Sequence, residues 1–584
     1  KPVPSSIDDN ISSFTHDAAL IHTRYSILDL TAGGHHPFIS RDGALIAVFN
    51  GEIYNYVELR DELTAKGVSF RTSSDTEVLV EGYGIWREDL WNKMNGFWAI
   101  ALYDLENDQV ILSRDRIGVA PLYYRETATG FFFASAIQSL INISPADIEI
   151  DTDVMTGFLQ TGIKDHDNTT CYRQIRSLPS LTTVTFNGTW SRFEEGRKRK
   201  YWDFPADRLN EADLPFPEAA ENFRDIFFNA VDIRLRADVK VAFELSGGLD
   251  SSSVVAAAAI LKHNDISTYT VSIKDADEEP FARAMLDLYP VDYHVLNHIE
   301  GDFHNDYRAF AKLMEEPYDN PNAYSHHRML QEMKSQGVSV VVTGAGGDEV
   351  LAGYEASFWP KAYEELKRKG NLWHAESYEF CRRFMTKTKA KETLLHYLLD
   401  FPRYLRRLLF SRENTPSKET PSTALAYQRK YRRLSFHEQA LYHFRVALVP
   451  FYMRSSDHFT MSIPIEHRFP LLDYRLVELG LQMPITYLFR NGWTKYLLRK
   501  AMEPYLPKKI LWRRKKMGFT FPYQKYFSQH ETLFASSFNS FSKTELFGNR
   551  QDTYHDLLKN NPVKLWRLIS TAAWFENLHN GTLK

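Results

Sequence analysis

"VKVAFELSGGLDSSS", residues 239–253, decides how the rest of the chain is read. An apolar run gives way to two glycines, an aspartate and three serines, and the alanine-rich "SSVVAAAAILKHN" follows. That order predicts a buried strand, a tight turn and a helix. Strand-like runs recur at "STYTVSI", "DYHVL" and "VSVVVTG", with helical stretches between them and the helical "PEAAENFRDIFFNAVDIRLRAD" in front. Strands alternating with helices predict an α/β doubly wound parallel sheet beginning near residue 216, with a helical C-terminal part. Ligands of such sheets sit at the carboxyl ends of the strands. Both "SGGLDSS" and "TGAGGDE" (343–349) fall at that edge.

The first 150 residues have a different texture. Short β-like runs ("ALIAVFNGEIY", "FWAIALYDL", "QVILSRD", "FFFASA") are punctuated by Gly, Asn and Asp, with one helical stretch, "NYVELRDELTAKG". This predicts an α+β sandwich. The polar stretch at 187–215 reads as a linker. The resulting division is residues 1–190, a linker at 191–215, and 216–584. The region 355–450 reads as helical, and the tail from 451 as helices and loops.

At the glycine turn, Ser246, Gly247, Gly248, Asp250, Ser251 and Ser252 gather backbone N–H groups and hydroxyls at a helix N-terminus, which carries about half a positive charge and suits an anion. Asp250 would repel a bare phosphate, so its expected task is to hold Mg²⁺ against phosphate oxygens. The Walker pattern is excluded, because no Gly-Lys pair occurs in the chain.

Composition bounds the alternatives. The 584 residues carry a formal charge of −4, so nothing global points to a polyanion partner, and nucleic-acid binding is not expected. The basic clusters at 197–200 and 512–516 read as solvated faces or local anion sites. Two cysteines, Cys171 and Cys381, have no metal-type spacing, which favours a reducing, cytoplasmic setting. No apolar run approaches the roughly 18 residues of a membrane span.

"SGGLDSS" resembles the pyrophosphate loop of N-type ATP pyrophosphatases. With "RYSILDL" (24–30), "FNGEIYNYVELRDEL" (49–63), "SSDTEV" (73–78) and "RDRIGVAPLYY" (114–124), the first part is similar to the Ntn-type glutaminase domain of the asparagine synthetase B family. "TGAGGDEVLAGY" (343–354), "MSIPIEHRFPLLD" (461–473), "TKYLLRKAMEPYLP" (494–507) and "WRRKKMGFTFP" (512–522) resemble its synthetase domain. The resemblance implies an AMP-forming ligase that adenylates a carboxylate, by default aspartate, and amidates it with ammonia drawn from glutamine through an internal tunnel. It implies ATP as substrate and Mg²⁺ on Asp250 and Asp348. Leu245 and Ser272 would flank adenine, Gly344 would lie along the nucleotide, and Lys495 would stabilise phosphoryl and acyl charge. Glu466 and Arg468 would form either a buried ion pair or a substrate contact. In the glutaminase half, Arg24 would bind the glutamine carboxylate, Asn50 and Gly51 the oxyanion, and Glu52 and Asp75 the ammonium. A homodimer fits the family.

Three departures stand out. The family's nucleophile is an N-terminal cysteine, whereas residue 1 is Lys1 and the residues ahead of Arg24 are too few for the first strand, its helix and loop. A missing N-terminal segment is the simplest expectation; the alternative is a chain without glutaminase activity, like the family's β-lactam-forming and peptide-cyclising relatives. Second, Ala345 stands where a glutamate usually takes a proton from the attacking amine. That leaves room for another acceptor carboxylate or for peptide macrolactam closure. Third, Ala136 and Gln138 replace a usual "SE-x-K", which bears on the domain interface or tunnel.

Overall fold

A computed structural model describes residues 18–164, 166–187, 196–262, 266–272, 279–297, 302–371, 373, 375, 431, 433–514, 521–544 and 552–580. Cys381, the ends of the 191–215 and 512–516 readings, and most of the 355–450 helical reading lie outside these residues, as does the side chain of Ser272.

The first half is built on a six-stranded antiparallel sheet: β1 (Phe38–Ile39), β2 (Leu45–Ile53), β3 (Gly96–Asp104), β4 (Gln109–Arg114), then β8 (Thr182–Asn187) and β9 (Arg197–Lys200). Between β4 and β8 the chain forms a second sheet of β5 (Tyr123–Thr127), β6 (Gly130–Ala134) and β7 (Ile175–Ser177), ordered β6-β5-β7. Side chains of a strand alternate between faces, and here both faces are covered. Ala47, Phe49, Trp98, Ile100 and Leu102 pack with Leu59, Leu63 and Val78 from helices Tyr56–Ala65 and Asp75–Trp86. Val48, Ala99, Ala101 and Leu112 face the other way, against Leu122, just ahead of β5, and Phe131 of β6. Burial on both faces is why "ALIAVF" and "FWAIAL" read as unbroken apolar runs.

The linker reading needs correction. Arg197–Lys200 is β9, an exposed edge strand whose register pairs Thr182 with Lys200 and Thr185 with Arg197. A strand made only of Arg and Lys hides its β character, yet it suits an edge that must not recruit another chain. Arg197 and Arg199 lie 3.9 and 3.7 Å from Glu88, so the basic cluster is partly neutralised locally.

The second half holds a five-stranded, all-parallel sheet: β10 (Val241–Glu244), β11 (Ser267–Ser272), β12 (Asp292–Asn297), β13 (Val340–Val342) and β14 (Glu466–Arg468), ordered β12-β11-β10-β13-β14. The chain winds outward from β10 in one direction, then crosses to its other side with β13, so the switch point lies between β10 and β13. Helix Leu249–Lys262 leaves the glycine turn, and Val254 to Ala258 are buried. β14 corrects the reading of the tail as helices and loops: three residues of "IEHRF" pair in parallel with β13.

The two halves are tied together. Buried Asp473 accepts from Arg234 (2.8 Å) and from Asn95 (2.8 Å) of the first half. Glu315 accepts from the backbone N–H of Ile137 (2.8 Å) and Gln138 (3.0 Å), capping helix Ile137–Ile141, whose own N-cap Ala136 has no side chain able to do so. The departure at Ala136 and Gln138 therefore sits on the interface between the halves. Last, helix Pro562–Asn580 packs on both Phe303–Leu313 and Thr152–Thr161, and Trp574 Nε1 donates to Tyr172 Oη at 3.0 Å.

Candidate active site

Two cavities lie where the halves meet. The larger, about 450 Å³, opens at the carboxyl ends of β10 and β13 and is lined by Leu245, Ser246, Thr343, Ala345, Asp348 and Glu349, among others. The turn after β10 is tied by its own serines: Ser246 and Ser251 hydroxyls lie 2.9 Å apart, and the Ser246 N–H donates to Ser251 Oγ (3.2 Å). Gly247 takes φ +67, where a Cβ would come within 2.6 Å of the Ala282 nitrogen. Gly344 passes so close that a Cβ would lie 2.5 Å from the Ser251 nitrogen. Glycine at 344 is thus what lets the β13 loop run alongside the β10 loop. Leu245 is buried, its N–H donating to Tyr269 O (2.9 Å).

Lys495 is not a surface lysine. It heads helix Tyr496–Ala501 with φ +51, is 5% exposed, and places Nζ 2.5 Å from Asp250 Oδ2 and 2.7 Å from Asp348 Oδ1. So Ser246, Gly247, Gly248, Asp250, Ser251, Ser252, Gly344, Asp348 and Lys495 form one cluster. Asp250 Oδ1 and Ser252 Oγ are buried without a hydrogen-bond partner. A buried carboxylate oxygen left over is costly unless something binds it. Two hard oxygen donors with one spare valence fit Mg²⁺.

Glu349 follows Asp348 in "TGAGGDE" and is a further acid of this cavity that the sequence pattern does not single out. It is 6% exposed and accepts from Tyr354 Oη at 2.7 Å. Burial, with the Asp348 charge beside it, pushes its carboxyl up to about 7. A carboxylate poised there can accept a proton near neutral pH.

The smaller cavity, about 160 Å³, is lined by Arg24, Asn50, Gly51, Glu52, Asp75 and Glu466, among others. Asn50 and Gly51 lie on β2; Asp75 opens helix Asp75–Trp86 and accepts from the Ile53 N–H at 3.0 Å. Arg24 spends three guanidinium hydrogen bonds on the carbonyls of Thr31 (3.0 Å), Leu28 (2.8 Å) and Asp29 (2.6 Å), which fixes its direction. Burial, reinforced by Glu466 and Asp75, raises the Glu52 carboxyl well above its ordinary range, and burial lifts Asp75 to about 6. Arg468 answers that negative cluster: it is wholly buried, 2.6 Å from Glu466 and 3.6 Å from Glu52, and donates to the carbonyls of Arg234 and Arg236. Glu466 and Arg468 thus form an ion pair, and Glu466 also lines the smaller cavity.

Met453, Ser456, His467 and Phe469 line both cavities. The strand carrying His467 escaped the sequence reading, and so did Glu244 and His326, which meet it in the larger cavity. A signal existed: Glu244 is an acid inside the otherwise apolar "KVAFEL".

A parallel sheet with a serine–glycine turn and a Lys–Asp–Asp cluster, joined to an antiparallel sandwich with its own polar cavity, gives a two-domain protein with two candidate sites. Residues 222–576 match the asparagine synthase family model, and 7–202 match that of the glutamine amidotransferase domain. The chain belongs to the asparagine synthase family. Among its relatives, asparagine synthetase [glutamine-hydrolyzing] 1 of Bacillus subtilis is 26% identical, covering 94% of this chain and 88% of that one. Asparagine synthetase [glutamine-hydrolyzing] 3 of the same organism is 26% identical over 98% of this chain and 91% of that one. Amidase chry2 of Gibberella zeae is 26% identical over 86% and 81%.

Proposed function

We propose that this protein is an ATP-dependent, AMP-forming amide synthetase that takes its nitrogen from glutamine and has aspartate as default acceptor. The observation that carries this is Lys495 Nζ bridging Asp250 and Asp348 at the mouth of the serine–glycine turn. In this reading the turn at Ser246–Ser252 holds the β- and γ-phosphates, with Gly344 along the nucleotide and Leu245 and Ser272 beside adenine. A carboxylate oxygen of the acceptor attacks the α-phosphorus; the bond to the bridging oxygen breaks and pyrophosphate leaves. Ammonia then attacks the acyl carbon, AMP departs, and Glu349 takes the proton that Ala345 cannot. Lys495 offsets the charge that develops on the phosphoryl oxygens. Asp250 and Asp348 would hold Mg²⁺, which when bound neutralises the leaving diphosphate.

In the first half, Arg24 would take the glutamine carboxylate, Asn50 and Gly51 the oxyanion, and Glu52 and Asp75 the ammonium. Residues 1–190 and 216–584 would act as glutaminase and synthetase units, and a homodimer and a cytoplasmic setting belong to the same reading. Among the described residues no helix is long and apolar enough to cross a membrane.

A second reading keeps the chemistry and changes the acceptor to a larger carboxylate, including a peptide. It is favoured by Ala345 together with the aromatic wall of Tyr318, Phe451, Tyr452 and Phe459. The test is pyrophosphate release from ATP and Mg²⁺ with ammonia or glutamine and a panel of carboxylates, with product mass. Aspartate-dependent release supports the first reading, and release with other carboxylates alone supports the second. ADP and phosphate in place of AMP and pyrophosphate would refute both.

A further inference from the structure

β14 forms part of the wall between the two cavities. Its alternation splits it: Glu466 lines the smaller cavity and Arg468 pairs with Glu52, while His467 between them turns toward Glu244 at the end of β10. His326, from helix Asn322–Ser335, meets the same carboxylate with Nε2 2.5 Å from Glu244 Oε1. His467 Nε2 stands 3.7 Å from that oxygen, too far to hydrogen-bond. One ligand atom from each residue lies within 4.8 Å of the others.

A Glu244–His326 ion pair alone would leave His467 unexplained. His467 is 7% exposed; its Nδ1 is engaged with Ser456 Oγ at 2.9 Å, which sets the ring, while Nε2 is buried and makes no hydrogen bond. A bond to the far nitrogen with the near one left bare is how metal-binding imidazoles are held. Two imidazole nitrogens and one carboxylate oxygen are a donor set for borderline divalent metals such as zinc, and a poor one for Mg²⁺. At zinc–ligand bonds of 2.0–2.1 Å, tetrahedral ligand atoms stand about 3.3 Å apart. The present spacings of 2.5 and 3.7 Å reach that by shifts under about 1 Å.

We propose that Glu244, His326 and His467 bind one zinc-type divalent metal, with a fourth coordination position open to the larger cavity. All three line that cavity together with Ala345, whose methyl group adds no competing acid there. Three protein ligands with an open position is the arrangement that admits water or a substrate atom. This site is separate from Asp250 and Asp348, and metal binding stands or falls apart from the ligase reading.

The test uses untagged full-length protein stripped of metal by chelation. Co²⁺ titration is expected to give one ion per chain, with the strong visible absorption of four- or five-coordinate cobalt, displaced by Zn²⁺. His467→Asn and Glu244→Gln should abolish that band, and Ser456→Ala, which removes only the bond to Nδ1, should weaken binding about tenfold. His304→Ala, in the stacked His304–His530 pair, should change nothing. X-ray absorption of the zinc-loaded wild type should show imidazole scattering, which decides the matter even if a variant fails to fold. No stoichiometric binding, binding that survives both ligand substitutions, or oxygen-only scattering would overturn the proposal.

Discussion

Replacing Lys495 with methionine keeps the length of the side chain and removes its ammonium. In the wild type that ammonium touches two carboxylates at 2.5 and 2.7 Å, with the three side chains only 6%, 15% and 13% exposed. At an effective dielectric near 20, each contact amounts to about 6 kcal/mol before desolvation is counted. Desolvation offsets much of this, so losing one partner of a buried set costs about 3–5 kcal/mol. In the variant Asp250 and Asp348 face each other without a counter-charge, and a divalent cation becomes their remaining remedy. Thermal melts should therefore show a large drop in chelator and a larger recovery on adding Mg²⁺ than the wild type shows. For catalysis, removing one charge-stabilising donor costs about 10²–10³ in rate. A coupled pyrophosphate assay should register that fall in kcat, with acceptor KM nearly unchanged. Wild-type turnover, with melts that respond to Mg²⁺ as the parent does, would refute the role given to this lysine.

Three other perturbations follow. Gly344→Ala puts a Cβ 2.5 Å from the Ser251 nitrogen, so it should part the two loops and raise the ATP KM at least tenfold or so, measurable by nucleotide titration. Glu349→Gln should remove the rise in rate that accompanies ionisation near pH 7, leaving a flat profile; a wild-type profile would exclude it as the proton acceptor. Glu316 is buried, which opposes ionisation, yet Arg454 at 2.8 Å and Lys164 at 3.3 Å prevail and hold its carboxyl at about 2. Below the ordinary carboxylate value the unfolded chain takes up this proton first. Up to about 3 kcal/mol of stability, full above pH 4.5, is thus lost as pH falls toward 2. Acid melts of Glu316→Gln should lack that slope.

What the sequence revealed was mostly local. The strand, glycine turn and helix around 241–262 lie within a few turns of chain, so their pattern survives any context. β2, β3 and β4 announced themselves through apolar runs. β14 did not, because three residues paired with a strand over a hundred positions earlier leave no periodicity. β9 was masked by its own charges. Lys495 became legible only through resemblance, since a lysine opening a short helix has no signature until Asp250 and Asp348 are seen around it. Glu349 could be located but not its proton affinity, which depends on burial. Glu244 and His326 are 82 residues apart, and only the fold makes them neighbours.

The helix at Pro562–Asn580 has a bearing on how the molecule is born. Its Trp574 closes over Tyr172, in the half that is translated first. A nascent chain stalled before residue 562 would leave that face of the early half bare, whatever the state of its own strands. The Trp574 contact adds to the ties made through Asp473 and Glu315, so a truncation that removes this helix should weaken the joined form rather than spare it.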